Sequence, residues 1–192
     1  MYYPLLAKLF PRITTPAEDV ATISLCHILD HSKTARDGFK IFLANKAGIS
    51  IVSDLYFKTQ SSGENKERPD ISGRDTDGNE IILCEAKFWA GLTKNQPIAY
   101  LERLRKHTHN TEKALVFICP NQRKVSLWGE LLRICEQSIV EDQTKSRDNS
   151  VEANSIMIDG IKMSIVSWRE IINVLREILA SENSPLLSDL EQ

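Results

Sequence analysis

Residues 68–100 read R-P-D-I-S-G-R-D-T-D-G-N-E-I-I-L-C-E-A-K-F-W-A-G-L-T-K-N-Q-P-I-A-Y. Within them an apolar run, Ile81 to Cys84, leads into Glu85-Ala86-Lys87. Continuous apolar character marks a strand covered on both faces rather than an amphipathic edge. Side chains alternate along a strand, so Glu85 and Lys87 are expected to share a face with Ile81 and Leu83. Cys84, Ala86 and Phe88 take the other face. Opposite charges on the covered side of a central strand are costly unless they pair or bind a metal. Upstream, Asp77-Gly78 is a two-residue hairpin signal that folds a strand beginning near Asp70 back against 80–88. Counting outward from that turn sets Asp70 opposite the neighbourhood of Glu85. Asp75 and Asp77 read as turn residues rather than ligands.

Two carboxylates from neighbouring strands, with the main-chain carbonyl of Ala86, form the oxygen-rich set that Mg²⁺ (or Mn²⁺) prefers. Lys87 is then placed beside an attacking water, where an ammonium orients a hydroxide and stabilises charge developing on phosphorus. This is the chemistry of metal-dependent phosphodiester hydrolysis. A plainer reading makes Glu85 and Lys87 a solvated strand end and Asp70 a turn residue after Pro69.

The pattern Pro69-Asp70 … Glu85-Ala86-Lys87 resembles the PD-(D/E)xK nuclease superfamily. Gln96 and Tyr100 form a Q-x-x-x-Y pair similar to the motif that follows the lysine in RecB-type members. Each piece is weak alone, and the spacing, the hairpin and the second motif together are more specific. The resemblance covers residues 15–105. It implies an α/β fold with a restriction-endonuclease-like core: a mixed central β-sheet flanked by helices, with the site at one sheet edge. It implies DNA as substrate, with Gln96 and Tyr100 shaping the site. It also implies that a glutamate near the start of the first helix joins the metal, a place that Glu18 occupies, with Asp19 as the fallback. Thr15-Pro16-Ala17-Glu18 is equally a capping box, and both readings of Glu18 stand. Family context points to a bacterial, cytoplasmic setting such as anti-phage defence or restriction. The rival expectation is a non-catalytic nucleic-acid-binding module on the same fold.

Outward from this stretch, periodicity predicts helices over 15–31 and 34–47, the second stopped by Gly48. A strand is expected over 49–60, with Ile51, Val52, Leu55, Tyr56 and Phe57 apolar, followed by a polar loop at 61–68. Lys58, Lys66, Arg68 and Arg74 cluster around the expected site as candidate phosphate contacts. A helix with Pro97 in its first turn runs to residue 108 and carries Arg103, Arg105 and Lys106. Residues 113–119 read as a strand parallel to the Glu85 strand, because a helix intervenes. A helix over 122–137 turns Val125, Trp128, Leu131, Leu132 and Cys135 inward. Residues 141–154 read as a loop and 154–167 as a hairpin turning at Asp159-Gly160. A helix spans 168–180. The organisation expected is one domain over 1–180, opening with a short apolar arm over 1–14, and a polar tail or linker over 181–192.

Composition is that of a globular chain: 42% hydrophobic and 26% charged over 192 residues. The net charge of −2 gives no overall field toward nucleic acid, so any phosphate binding must rest on a local basic patch. Cys26, Cys84, Cys119 and Cys135 are widely spaced in apolar surroundings and read as buried free thiols of a reducing compartment. The four histidines show no zinc spacing. No stretch approaches the roughly 20 apolar residues of a membrane span. No target-recognition motif is visible, so a homodimer, a partner or a further domain is expected to supply it.

Overall fold

The computed structural model describes residues 17–59, 68–93, 96–106, 112–141, 147–152 and 154–191. The arm over 1–14, Thr15, most of the 61–68 loop, Lys66, His107 and His109 lie outside the described residues.

In chain order the elements are α1 (Ala17–His31), α2 (Lys33–Ala47), β1 (Tyr56–Thr59), β2 (Ile71–Arg74), β3 (Glu80–Ala86) and α3 (Ile98–Lys106). There follow β4 (Lys113–Cys119), a 3-10 turn (Asn121–Arg123), α4 (Lys124–Glu141), β5 (Arg147–Glu152), β6 (Ser155–Ile158) and β7 (Ile161–Ser167). The last two are α5 (Trp168–Ser181) and α6 (Leu187–Leu190). The strands form one mixed sheet in the order β1-β2-β3-β4-β7-β6-β5. β3, β4 and β7 are parallel, and the outer pairs are antiparallel. Helices cover both faces, which is the coarse architecture expected.

Burial of β3, β4 and β7 explains their composition. All seven residues of β3 and of β4 are buried, and one core lies on each side of them. Ile82, Cys84, Val116 and Val166 pack with Leu29, Phe39, Leu43 and Leu175 from α1, α2 and α5. Leu83, Leu115, Phe117 and Ile165 pack with Tyr100, Leu104, Trp128 and Leu131 from α3 and α4. Charge inside this sandwich is paired. Glu80 accepts from Arg103 Nε at 2.7 Å and Nη2 at 2.6 Å, and from Arg74 Nη2 at 2.7 Å. Burial alone would raise the Glu80 pKa, but Arg103 and then Arg74 outweigh it and hold it below the usual range. All four cysteines are buried free thiols, and burial pushes Cys26 up to about 12.

Two helix ends show local sequence chemistry at work. Gly48, at φ 68°, closes α2 and donates back to Ala44 and Asn45, a conformation that a side chain disfavours. At α5, Ser167 and Glu170 form a reciprocal capping box. The Ser167 hydroxyl oxygen accepts from Glu170 N–H at 3.2 Å, and Glu170 Oε2 accepts from Ser167 N–H at 2.7 Å. Ser167→Ala is expected to cost about 1 kcal/mol of stability in urea unfolding.

Several expectations are corrected. The strand expected over 49–60 shortens to β1, and Val52 is 97% exposed, because the chain is irregular up to Leu55. Ile81 does not share the Leu83 face. A β-bulge between Gly73 and Arg74 pairs Gly73 with Ile82 and Arg74 with Glu80, so Ile81 joins Ile82 in the α1/α2 core. The β2–β3 turn is longer than two residues. Asp75 N–H donates to Asn79 O at 3.0 Å, and the Asp75 carboxylate caps the N–H groups of Asp77 and Asn79. Val125 is 86% exposed, because on α4 it lies about 120° round from Leu131, and Leu127 takes an inward place instead. The region read as a loop at 141–154 includes β5, an edge strand on β6. The segment read as a tail over 181–192 carries α6 and buries Leu186 and Asp189, with Leu187 and Leu190 against the α1/α2 core.

Candidate active site

β2 and β3 bring the acidic residues together. Ile71 pairs with Cys84, so Asp70 enters the sheet opposite Glu85. Asp70 Oδ2 accepts from Ala86 N–H at 2.7 Å. Glu85 and Ala86 end β3, and the ladder runs on as Lys87 N–H donates to Ile118 O at 2.8 Å.

Glu85 is 3% exposed and is surrounded by donors. Its Oε1 lies 2.9 Å from Lys87 Nζ and accepts from Gln96 Nε2 at 2.9 Å. Its Oε2 lies 3.0 Å from the Tyr100 hydroxyl. Gln96 Nε2 also donates to the Tyr100 oxygen at 3.2 Å, and Arg68 O lies 3.3 Å from that hydroxyl. Gln96 and Tyr100, four residues apart, thus meet one carboxylate at the start of α3. Tyr100 continues into the α3/α4 core, which fixes its ring.

The electrostatics follow from placing two carboxylates in one half-dry site. Burial and then the Glu85 charge raise the Asp70 pKa, with the Ala86 N–H and Lys87 acting against them, and the balance lies at about 7. Glu85 is also raised, chiefly by burial, with Lys87 and Tyr100 opposing. The Tyr100 hydroxyl is raised by burial and by the Glu85 charge beside it.

Glu18 is brought to the chain leaving β3. Its Oε1 accepts from Phe88 N–H at 2.5 Å and so ties α1 to the chain leaving β3. The reciprocal partner in a capping box, Thr15, is outside the described residues. Asp19 lies near enough to raise the Asp70 pKa slightly. Among the described residues no group of three or more histidine, cysteine, aspartate or glutamate side chains is arranged to hold a metal. Asp70, Glu85 and the Ala86 main chain are the oxygen donors gathered here. Of the expected phosphate contacts, Arg74 is engaged by Glu80, and Lys58 lies on β1, the edge strand beside β2, opposite Ser72.

The sequence reading missed the Glu80–Arg103 pair that anchors α3 beneath this site. A charged Glu80 opening a buried strand was the available signal, because such a charge requires a partner. It also missed Trp89, 74% exposed two residues after Lys87.

No helix among the described residues is long and apolar enough to cross a membrane. Comparison with protein-family models, curated proteins and solved structures gave no match.

Proposed function

We propose that the chain is a metal-dependent nuclease with a restriction-endonuclease-like core that hydrolyses phosphodiester bonds in DNA. The observation that carries this reading is the triad of Glu85 and Lys87, both buried and 2.9 Å apart, with the half-buried Asp70 raised to about 7 beside them. A fold gains nothing by holding two carboxylates together in this way, because their repulsion and desolvation oppose stability. A divalent cation relieves both. Two carboxylates and a carbonyl suit Mg²⁺ or Mn²⁺, since Mg²⁺ commonly takes one or two carboxylates and keeps several waters.

The roles divide as follows. Asp70, Glu85 and the Ala86 carbonyl hold the cation, which supplies Lewis acidity toward the phosphate and an acidified water. Lys87 points its ammonium at the same place and offers charge to the oxygens that gain it as water adds to phosphorus. Hydrolysis forms one P–O bond from water, breaks the P–O bond to the sugar, and leaves the proton on the departing oxygen. Gln96 and Tyr100 orient the Glu85 carboxylate. Glu18 positions the strand exit through Phe88. Tyr100→Phe is expected to keep the fold and lower cleavage about tenfold, read as initial rate on plasmid DNA, because Glu85 loses one orienting donor. The decisive experiment compares plasmid and linear duplex with Mg²⁺, Mn²⁺ or chelator, for wild type and Lys87→Ala. Metal-dependent cutting that disappears in the variant is the expected result.

A second reading, a non-catalytic nucleic-acid-binding module, is favoured by one observation. Among the described residues two side-chain carboxylates, Asp70 and Glu85, converge, and Glu18 is engaged by a backbone N–H. A titration with Mn²⁺ separates the readings, because the module has no need of the ion.

A further inference from the structure

The backbone after Lys87 is held at three points. Lys87 N–H donates to Ile118 O at 2.8 Å, and Phe88 N–H donates to the Glu18 carboxylate at 2.5 Å. The Phe88 ring lies over Trp168, with centroids 5.9 Å apart and planes 26° apart. The next side chain, Trp89, is 74% exposed and makes no ring or cation contact among the described residues. Exposing a large apolar ring is unfavourable, and here a fixed backbone presents it to solvent beside the reacting groups.

Next along the chain from Trp168, the Arg169 side chain has no hydrogen bond or ion pair with another described residue. It borders a recess of about 400 Å³ whose walls include Asn121, Gln122, Asn173 and Arg176. Arg176 makes contacts of 3.3 Å with Glu191 and Asn173, which leave guanidinium donors over. Because β3, β4 and β7 are parallel, their exits lie along one sheet edge. The exits of β3 and β7 are two strand spacings apart, about 10 Å. That is about three nucleotides of axial rise on one strand.

We infer that this edge is a track for an unpaired polynucleotide strand, with Trp89 stacking on a base beside the reacting phosphate and the Arg169–Arg176 recess holding the backbone a few nucleotides away. The inference rests on the nuclease reading for the reacting phosphate and adds the substrate class. An indole stacks only on a free base face, and inside a duplex both faces are covered by neighbouring bases. A duplex must unstack to use Trp89; a single strand, a frayed end or a flap need not. The surroundings argue against a protein partner, since one indole beside a recess bordered by two arginines is not the contiguous apolar patch of such an interface. The net charge of −2 makes local contacts of this kind necessary for any affinity.

The test is fluorescence anisotropy of a labelled 15-nucleotide single strand and the matching duplex, in chelator so that nothing is cut. Wild type is expected to bind the single strand at least about tenfold more tightly than the duplex. Trp89→Ala is expected to lose about tenfold on the single strand and little on the duplex, while Trp89→Phe keeps most of the affinity. Arg169→Ala/Arg176→Ala is expected to weaken both and to reduce the salt slope by about one to two. Equal affinity for the two forms, or unchanged binding by Trp89→Ala with its far-ultraviolet spectrum intact, overturns the inference and leaves Trp89 to a protein partner. Strand binding that follows this pattern with no metal-dependent cutting overturns the nuclease reading instead. Duplex cutting indifferent to Trp89 overturns only the track.

Discussion

Lys87→Ala is expected to remain folded and to lose metal-dependent cleavage by at least about 1,000-fold, measured as initial rate on plasmid DNA. The size follows from position. Lys87 is the cation that faces Glu85, at 2.9 Å, and both side chains are almost fully enclosed. In such a setting a charge is screened little, so its removal costs far more than at a surface. The fold is expected to survive because Glu85 can take a proton and still meet Gln96 and Tyr100. A cooperative urea transition checks this. Wild-type-like cutting by the variant sinks the assignment of Lys87, and a molten variant calls for Lys87→Met, which refills the volume.

The second large effect concerns pH and the cation together. An unfolded aspartate releases its proton near pH 4, whereas Asp70 in the fold keeps it to about 7. Between those values the folded state holds the extra proton. Without a cation, the contribution of this group to stability is therefore greatest below pH 4, falls as pH rises to 7, and is flat above. A divalent cation needs the carboxylate and reverses the trend. At a concentration 100 times its Kd it is expected to add about 2.7 kcal/mol in urea unfolding. The affinity is expected to fall about tenfold from pH 8 to pH 6, where the proton competes. Asp70→Asn is expected to be more stable than wild type at pH 8 in chelator, and indifferent to Mg²⁺. An equal Mg²⁺ increment in that variant, or one independent of pH, would remove Asp70 from the metal set.

The central part of this molecule was legible because its residues obey one rule at a time. The apolar run of β3 and β4 is dictated by cover on both faces, and the pairing of Asp70 with Glu85 agrees with a count from a two-residue turn because the bulge offsets the longer turn. Failures came where a second effect intervened. Ile81 changed face through a bulge, and no pattern of apolar residues marks a bulge. Val125 lies about 120° round α4 from Leu131, outside the inward face, so apolar character alone misplaced it. β5 carries polar residues because it lies at a sheet edge, where alternation is weak. The contact of Glu18 with Phe88 joins residues 70 apart and left no local trace. Leu186, Leu187 and Leu190 were apolar residues scattered among polar ones, too few for periodicity to show a packed turn.

The split between local and distant pairing bears on how the chain acquires its shape. The segment from Asp70 to Tyr100 contains a hairpin and the first turn of α3, and such pieces close within microseconds. The parallel ladder is different: β3 waits for β4, and β4 gains its second neighbour only when β7 arrives, 48 positions later by the pairing of Cys119 with Ser167. Long-range parallel pairing is slow. Asp70 and Glu85 therefore come together while water still surrounds them, and the loss of that hydration is deferred to the last stage of assembly. The rate of that stage is where divalent cation in the medium would be felt.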